Sequence, residues 1–275
     1  MCHTSWKCAD GITAIMVPGD LAGPGSVGGF GRTICYLVEG KEKALLLDTG
    51  FGIGDLKAYV ESLTDLPLMV VNSHLHPDHS GGNKQFEVVY IGENEVASKE
   101  AFYFPEAAIP GKYCDAVLNG PGYHFEFLKD GEKIDLGDRV LTVYEVPGHT
   151  TGCIALHDEK TNLILAGDSL LKRVLLFTEK PLALYISSLN KIKDLGPADI
   201  LCAHWDKPLG VDHIDRMIHH LEKFSNDREN VEKSPWREMG NMCVYRCGES
   251  FAEPEFCAIG YPEINLKYLF PGEYE

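Results

Sequence analysis

Short apolar runs, several of them rich in valine and isoleucine, recur along most of the chain between glycine, proline and charged residues. Runs that are apolar at nearly every position are typical of strands buried on both faces of a sheet. The pattern predicts strands over residues 11–17, 33–38, 44–48, 68–72, 86–91, 125–128, 133–135, 140–146, 153–157, 163–166 and 198–203.

Other segments repeat apolar residues at the spacing of one helix face. Leu56, Val60 and Leu63 are an example, and a charged helix follows the last predicted strand. This spacing indicates amphipathic helices that pack against the strands. The predicted helices span residues 53–63, 93 to about 104, 181–195 and 211–224, and Pro105 ends the second of them.

Polar side chains gather where one predicted strand ends. The stretch VVNSHLHPDHSGGN, residues 70–83, places His74, His76, Asp78 and His79 directly after an apolar run. A single histidine in such a loop is usually a hydrogen-bonded loop residue, but four potential ligands in six residues are not typical of a solvated loop. Imidazole and carboxylate together favour zinc, iron or manganese over calcium or magnesium. The stretch therefore predicts a metal site.

Three further strand ends carry residues of the same kind. His149 follows one strand in PGHTTG, Asp168 follows another in AGDS, and His204 follows a third in AHWD. Ligands on short loops at strand ends suit a rigid metal site, and these residues suffice for two ions that share a bridge. Asp48 also ends a strand, beside glycine, but we interpret it as a structural acceptor of loop N–H groups.

Composition narrows the partners. The chain has 25 Lys and Arg against 41 Asp and Glu, a net charge of −16, which argues against nucleic acid as the partner. No run approaches the roughly 20 apolar residues of a membrane span. The N-terminus has no apolar signal region, and nine cysteines are then expected to be reduced thiols in a cytoplasm. We expect a small-molecule substrate, no nucleic acid and no membrane, and leave a homodimer open.

The chain resembles the metallo-β-lactamase superfamily of metallo-hydrolases. The residues that carry the resemblance are ALLLDTG at 44–50, HLHPDHSGG at 74–82, PGHTTG at 147–152, AGDS at 166–169 and AHWD at 203–206. They occur in the family's order from about residue 12 to residue 225, and HTTG is most similar to the glyoxalase II-like and lactonase-like branches. The tail after Ser225 has no match in this resemblance.

The resemblance implies an α/β fold, a four-layer αβ/βα sandwich of two mixed sheets flanked by helices, with the site at one edge. Residues 1–225 would form this domain, and residues 226–275 a C-terminal extension packed on it. One ion would be held by His74, His76 and His149. A second would be held by Asp78, His79 and His204, with Asp168 as the bridge. Two zinc ions are expected, with iron or manganese as alternatives.

The implied function is a dinuclear hydrolase that cleaves an ester, thioester or lactone of a small molecule. Metal-bound water has a pKa near 7, which provides a hydroxide nucleophile, and two ions polarise the carbonyl and stabilise the leaving group. Asp78 would orient the hydroxide between the ions and carry a proton to the leaving group.

Several residues beside the motifs are candidates for substrate contact. Aromatic side chains would line an acyl pocket, and cations would hold a carboxylate or phosphate; ordinary packing is the alternative for each. The aromatic candidates are Tyr123, Phe177 and Trp205, and the cationic ones are Lys172 and Arg173.

Three segments stay open. The glycine-rich residues 18–32 lack the features of a phosphate loop and fit a hairpin loop beside a site. Residues 98–124 fit either a lid or a packed insertion. Cys243, Cys247 and Cys257 would need a fourth ligand to hold a structural zinc.

Two other functions remain alternatives. Iron-dependent sulfur dioxygenases of the same fold use a triad like His74, His76 and His149, so a mononuclear iron oxidoreductase is one. A small-molecule phosphodiesterase is the other. Diiron redox proteins of this fold carry glutamate where this chain has His76, which favours hydrolysis.

Overall fold

The computed structural model describes residues 3–18, 32–96, 122–226, 231–233, 242–247, 257–263 and 266–273. The glycine-rich segment at 18–32 and the insertion at 98–124 lie almost entirely outside the described residues, so their predicted roles stay predictions.

The strands form three sheets. The first contains seven strands in chain order: β1 (Thr4–Ala9), β2 (Ile12–Pro18), β3 (Arg32–Glu39), β4 (Ala44–Leu47), β5 (Leu68–Asn72), β6 (Val88–Gly92) and β7 (His124–Leu128). The second has the order β13 (Asp199–Leu201), β11 (Leu163–Leu165), β10 (Ile154–Asp158), β9 (Val140–Glu145) and β8 (Lys133–Asp135). The third has the order β12 (Arg173–Leu175), β16 (Cys257–Pro262), β15 (Met242–Cys247) and β14 (Val231–Lys233).

Helices cover these sheets and connect them. The helices of the described part are α1 (Leu56–Glu61), α2 (Pro77–Ser80), α3 (Glu93–Val96), α4 (Leu182–Asp194), α5 (Asp212–Asn226) and α6 (Leu266–Leu269), with a short 3₁₀ turn at Asn83–Gln85. Among the described residues, no helix combines the length and the apolar character needed to cross a membrane.

Alternate residues of one strand enter two different cores. In β3, Ile34, Tyr36 and Val38 face the second sheet, while Cys35 and Leu37 pack with α1 on the opposite face. Side chains of a strand alternate between the two faces of its sheet, so both faces of β3 must be covered. This explains why the strands are apolar at nearly every position.

The second sheet is covered in the same way. Leu156 of β10 faces the first sheet, whereas Ala155 lies in a cluster with residues of α4, α5 and the third sheet. Helix, sheet, sheet and helix thus lie in four layers, which is the α/β arrangement expected from the resemblance. The inner core between the sheets positions the strand ends that carry the candidate ligands.

Most predicted elements are found within two or three residues of their expected ends, and the differences have local causes. The helix predicted from residue 53 begins at Leu56, because Gly52 and Gly54 have φ of 74° and 81°, outside the helical range. The Oδ1 atom of Asp55 then caps the helix by accepting the Ala58 N–H at 2.9 Å. The helix predicted over 93–104 is described only as Glu93–Val96, and the rest lies outside the described residues.

Five strands were not predicted from the sequence. β1 precedes the first predicted strand, and β14, β15 and β16 lie in the tail. The fifth, β12, pairs in parallel with β16 and so joins the tail sheet to the middle of the chain. The division at residue 225 stays a prediction, but a third sheet crosses it.

Candidate metal centre

The densest group of candidate ligands follows β5. Its last residues are buried, and the chain then passes through His74 and His76 into α2. His76 has an extended backbone, and Pro77 occupies the first turn, where its fixed φ suits a helix start. Asp78 and His79 therefore lie on one short buried helix directly after the strand.

Three other strands of the second sheet bring the remaining candidates to the same place. His149 follows β9, Asp168 follows β11 and His204 follows β13. Since β11 and β13 are parallel, their carboxyl ends meet at one edge, as do those of the parallel β4 and β5. The outcome is three overlapping sets whose nitrogen and carboxylate atoms lie within 4.8 Å of one another: His74, His76 and His149; His74, His79 and Asp168; Asp78, His79 and His204.

Hydrogen bonds fix which nitrogen two of the histidines present. The Nδ1 of His149 lies 2.6 Å from the carbonyl oxygen of Leu175, and the Nδ1 of His79 lies 2.7 Å from Oδ2 of Asp48. A carbonyl or carboxylate oxygen only accepts, so each Nδ1 carries the hydrogen. The Nε2 of each ring then offers a lone pair to the centre, as in metal-binding histidines whose second nitrogen is held by a neighbour.

His74 is oriented through a serine. The Ser73 hydroxyl donates to Oδ2 of Asp48 at 2.8 Å, so its oxygen accepts from the Nδ1 of His74 at 3.1 Å. Asp48 also accepts the Ser73 N–H at 2.7 Å. Asp48 is thus the structural acceptor predicted from the sequence, and its φ of 66° places it in the left-handed region that aspartate tolerates.

The nitrogen atoms of the three-histidine set point toward one another. The Nε2 of His149 lies 2.8 Å from the Nδ1 of His76. The Nε2 of His74 is buried and makes no hydrogen bond within the described part of the chain. Buried polar atoms are almost always satisfied by a partner, and a cation between these rings would satisfy them together.

Asp168 lies between two halves of the centre. The first half is the set of His74, His76 and His149, and the second half is the set of Asp78, His79 and His204. Its Oδ1 is 3.4 Å from Nε2 of His79, and its Oδ2 is 3.5 Å from Nε2 of His149 and 3.3 Å from Nε2 of His204. One carboxylate therefore reaches histidines of both halves, the geometry that a bridging ligand needs. Asp78 completes the second half, with its Oδ2 at 3.2 Å from Nε2 of His204.

The protonation states also suit a cation. Burial, followed by neighbouring histidines, holds the pKa of His74 and His76 well below the usual value, and burial lowers that of His149, so all three are neutral at pH 7, the form in which imidazole can bind a metal. Burial opposes ionisation of Asp78, but His79 and His204 outweigh it and lower its pKa to about 2. His204 and His79 likewise hold the pKa of Asp168 well below its usual range against the effect of burial.

Burial lowers the pKa of the remaining two histidines, but the carboxylates outweigh it. Asp168 and Asp78 raise the pKa of His204 to about 10, and Asp78, Asp168 and Asp48 raise that of His79 well above the usual value. The buried carboxylates of Asp78 and Asp168 need nearby positive charge, which either protonated histidines or metal cations would provide. The residues present fit metal ions.

The proposed substrate residues have different surroundings. Trp205 follows His204, and the Nζ of Lys172 lies 4.1 Å from the centre of its ring. Phe177 is buried, with its ring 5.4 Å from that of His76 and 5.8 Å from that of His149, so it packs against two of the candidate ligands. Their assignment to substrate binding stays a prediction.

The other two candidates lie on strand β12 and beside β7. Arg173 begins strand β12, in register with Ala258 of β16. Tyr123 packs edge-on against Phe125 at 5.5 Å and joins the core that contains α1. Their assignment to substrate binding also stays a prediction.

Glu95 was missed from the sequence. It is fully buried and accepts hydrogen bonds from Leu75, between His74 and His76, and from Gly152, in the loop after His149. It lies in a short charged helix, where a carboxylate is ordinary. In the tail, Cys243 is buried, and the side chains of Cys247 and Cys257 lie outside the described part, so a zinc site there stays a prediction.

Comparison with known proteins agrees with this geometry. A sequence model of the metallo-beta-lactamase superfamily matches residues 28–204, more than half of the chain. A metallo-beta-lactamase family protein from Thermus thermophilus has a similar fold, with a TM-score of 0.60 and 20% identity over 92% of this chain and 99% of that one.

Two curated relatives are similar in sequence. The acyl-coenzyme A thioesterase MBLAC2 of Gallus gallus is 32% identical over 50% of this chain and 57% of its own length. A hydroxyacylglutathione hydrolase of Erythrobacter litoralis is 34% identical over 48% of this chain and 47% of its own length. The match spans about half the length of these relatives.

Proposed function

Since the chain belongs to the metallo-beta-lactamase superfamily, we propose that it is a metal-dependent hydrolase that cleaves a small-molecule thioester. The observation that carries this proposal is the convergence of seven ligand side chains in three overlapping sets. One curated relative is named an acyl-coenzyme A thioesterase and the other a hydroxyacylglutathione hydrolase, and these names support a thioester over an ester or lactone.

The two ends of the centre are assigned to two ions. His74, His76 and His149 would hold the first, and Asp78, His79 and His204 would hold the second. Asp168 would serve both, because its two oxygens face histidines of both sets. Five imidazoles with two carboxylates favour zinc, with iron or manganese as alternatives.

When bound, such ions supply a nucleophile from water near neutral pH and polarise the substrate carbonyl. Asp78 stays ionised because its pKa is about 2, so its carboxylate orients the nucleophile by accepting a hydrogen bond from it. Phe177 and the buried histidines exclude bulk water from the three-histidine side, which strengthens every charge interaction there. A thiolate is a good leaving group and needs little assistance from a protein acid.

We propose that the thiol-bearing leaving group of the substrate binds at a cationic patch beside His204, made of Lys172, Trp205 and Arg216. Lys172 is 7% exposed and lies over the Trp205 ring. Burial, followed by the charge of Arg216, lowers its pKa, so cations crowd here on a chain of net charge −16. An anionic thiol carrier relieves that crowding, and phosphates or carboxylates are suitable anions.

The experiment is elemental analysis of the purified protein followed by turnover of acyl-coenzyme A and acylglutathione thioesters, neutral thioesters, lactones and phosphodiesters. We expect two zinc ions per chain and preference for an anionic thioester. One iron per chain with oxygen consumption on a persulfide would replace the proposal with the oxidoreductase, and preference for phosphodiesters would replace it with that alternative.

The patch is tested with Lys172→Met, which keeps the apolar contact with Trp205 and removes the charge. A lost charged contact of about 1.5–3 kcal/mol predicts a KM for the anionic thioester that rises roughly 10- to 100-fold, with little change for a neutral thioester. Lys57→Met, at an exposed lysine near Glu61, is the matched control. Equal effects on both substrates would contradict an anion contact.

A further inference from the structure

A buried carboxylate links two ligand loops. Glu95 of α3 has no solvent exposure. Its Oε1 accepts the Leu75 N–H at 2.9 Å, and its Oε2 accepts the Thr150 hydroxyl at 2.7 Å and the Gly152 N–H at 3.0 Å. These bonds to a charged acceptor in a dry interior are stronger than neutral ones.

The three donors lie beside the three-histidine set. Leu75 is the residue between His74 and His76, and Thr150 directly follows His149. The main chain that carries the first two rings and the loop that carries the third are therefore held by the same side chain. A shift of Glu95 would change the separation of the ligand nitrogens on which metal binding depends.

A thiol extends the network. The hydrogen of the Thr150 hydroxyl is donated to Glu95, so the hydrogen between Thr150 Oγ1 and Cys153 Sγ, 2.8 Å apart, comes from the thiol. Burial raises the pKa of Cys153 well above its usual value, which keeps that hydrogen in place. The Thr150 N–H in turn donates to Cys153 Sγ at 3.3 Å. The loop after His149 is thus fixed at both ends.

Close backbone packing leaves this arrangement little freedom. A Cβ at Gly152 would lie 2.1 Å from the backbone nitrogen of Glu95, and one at Gly92 would lie 2.8 Å from the Gly152 oxygen. Real Cβ contacts are never this short, so α3 reaches the loop only because both residues are glycine.

We propose that Glu95 is a positioning residue that sets the geometry of His74, His76 and His149 for the first ion. The second ion depends on it less, because His79 is oriented by Asp48 and none of the three donors lies beside His204. The inference rests on the proposed metal centre and adds a residue that makes no contact with an ion.

The test is Glu95→Gln, in which one carboxylate oxygen becomes an NH₂ group. That group cannot accept the Gly152 or Leu75 N–H, so one loop is released. We expect zinc affinity at the three-histidine set to fall about 10- to 100-fold and that of the second set to change little. Competition of the apoprotein with a chromophoric chelator measures both affinities, and elemental analysis after mild chelation should fall from two ions toward one.

Two further variants keep the test decisive. Thr150→Val removes one donor and should weaken the same set in the same direction, and it replaces Glu95→Gln if that variant does not fold. Glu145→Gln alters the neighbouring contact with Asn94, whose Nδ2 donates to Glu145 at 2.6 Å, and should leave both affinities unchanged. Wild-type affinities in both the Glu95 and the Thr150 variants would overturn the inference, as would equal weakening of both sets. Absence of metal from the wild-type protein would instead overturn the proposed function.

Discussion

His213 predicts a measurable loss of stability in mild acid. Its ring is buried at the start of α5, and its Nε2–H donates to the carbonyl oxygen of Leu171 at 3.0 Å. Burial lowers its pKa to about 4 from 6.5, against the raising effect of that hydrogen bond, and Arg216 and Lys172 act in the same direction as burial. The folded protein therefore keeps this histidine neutral where the unfolded chain protonates it.

Proton linkage determines the direction and the size of this change in the free energy of unfolding. The unfolded state binds more protons below pH 6.5, so stability falls as the pH drops from about 6.5 toward 4 and is unaffected above that window. With these two pKa values, the loss between about pH 7.5 and about pH 5 is about 2 kcal/mol. For a chain of this size, that loss lowers the urea midpoint by roughly 0.7 M.

The assay is urea unfolding of the wild-type protein and of His213→Gln at both pH values, with equal metal loading. The glutamine can donate to Leu171 but does not titrate, so its stability should change by about 2 kcal/mol less than that of the wild type. The ligand histidines contribute equally to both proteins and cancel in this difference. An identical pH dependence for the two proteins would refute the reasoning.

Three other predictions test the packing of the fold and of the centre. Arg139 is buried; it donates to the Gly11 carbonyl at 3.0 Å, and its Nε lies 3.5 Å from Asp158. Arg139→Met should therefore lower the free energy of unfolding in urea by about 3–5 kcal/mol, because it leaves the Asp158 charge buried without its partner, and adding Asp158→Asn should restore part of that loss. No restored stability in the double variant would refute the charge argument. Phe177→Ala should cost about 3–5 kcal/mol and weaken zinc binding, whereas Phe177→Leu should retain most of both; unchanged zinc affinity in the alanine variant would contradict its support of the histidine rings. Gly152→Ala should lower the zinc content of purified protein, because its Cβ would lie 2.1 Å from the Glu95 nitrogen, and a normal content would contradict that close packing.

The fold was predictable where residues alternate between two cores. Ile34 to Val38 of β3 and all of β4 are hydrophobic because α1 covers one face and the second sheet the other. β1 was not predictable, since its side chains are exposed or only half buried and it lies at the sheet edge. β12 was also missed, because its three residues are a strand only through pairing with β16, far away in the chain.

The site divides in the same manner. The seven candidate ligands follow apolar runs at strand ends, and four of them stand directly beside glycine or proline, which makes them visible in the sequence. Glu95 contacts a loop distant in sequence, and Ser73 contacts the ring of the neighbouring His74. Glutamate and serine are common in any loop, so neither residue stands out in the sequence. Lys172 was a candidate from the sequence and Arg216 was not, because Arg216 lies in an ordinary charged helix whose proximity to Lys172 only the fold reveals.

The hydrogen bond from His149 to Leu175 has a consequence for the order in which the protein matures. Leu175 lies in β12, whose pairing with β16 needs residues 257–262, and the next residue, Leu176, donates its N–H to Gly260 at 2.7 Å. During synthesis His74 and His76 emerge long before the segment that completes the support of His149. Such distant pairings form late because closing long loops is entropically costly. We therefore expect metal binding by the three-histidine set to follow the pairing of β12 with β16, and a chain that ends before residue 257 would lack one of the supports of His149.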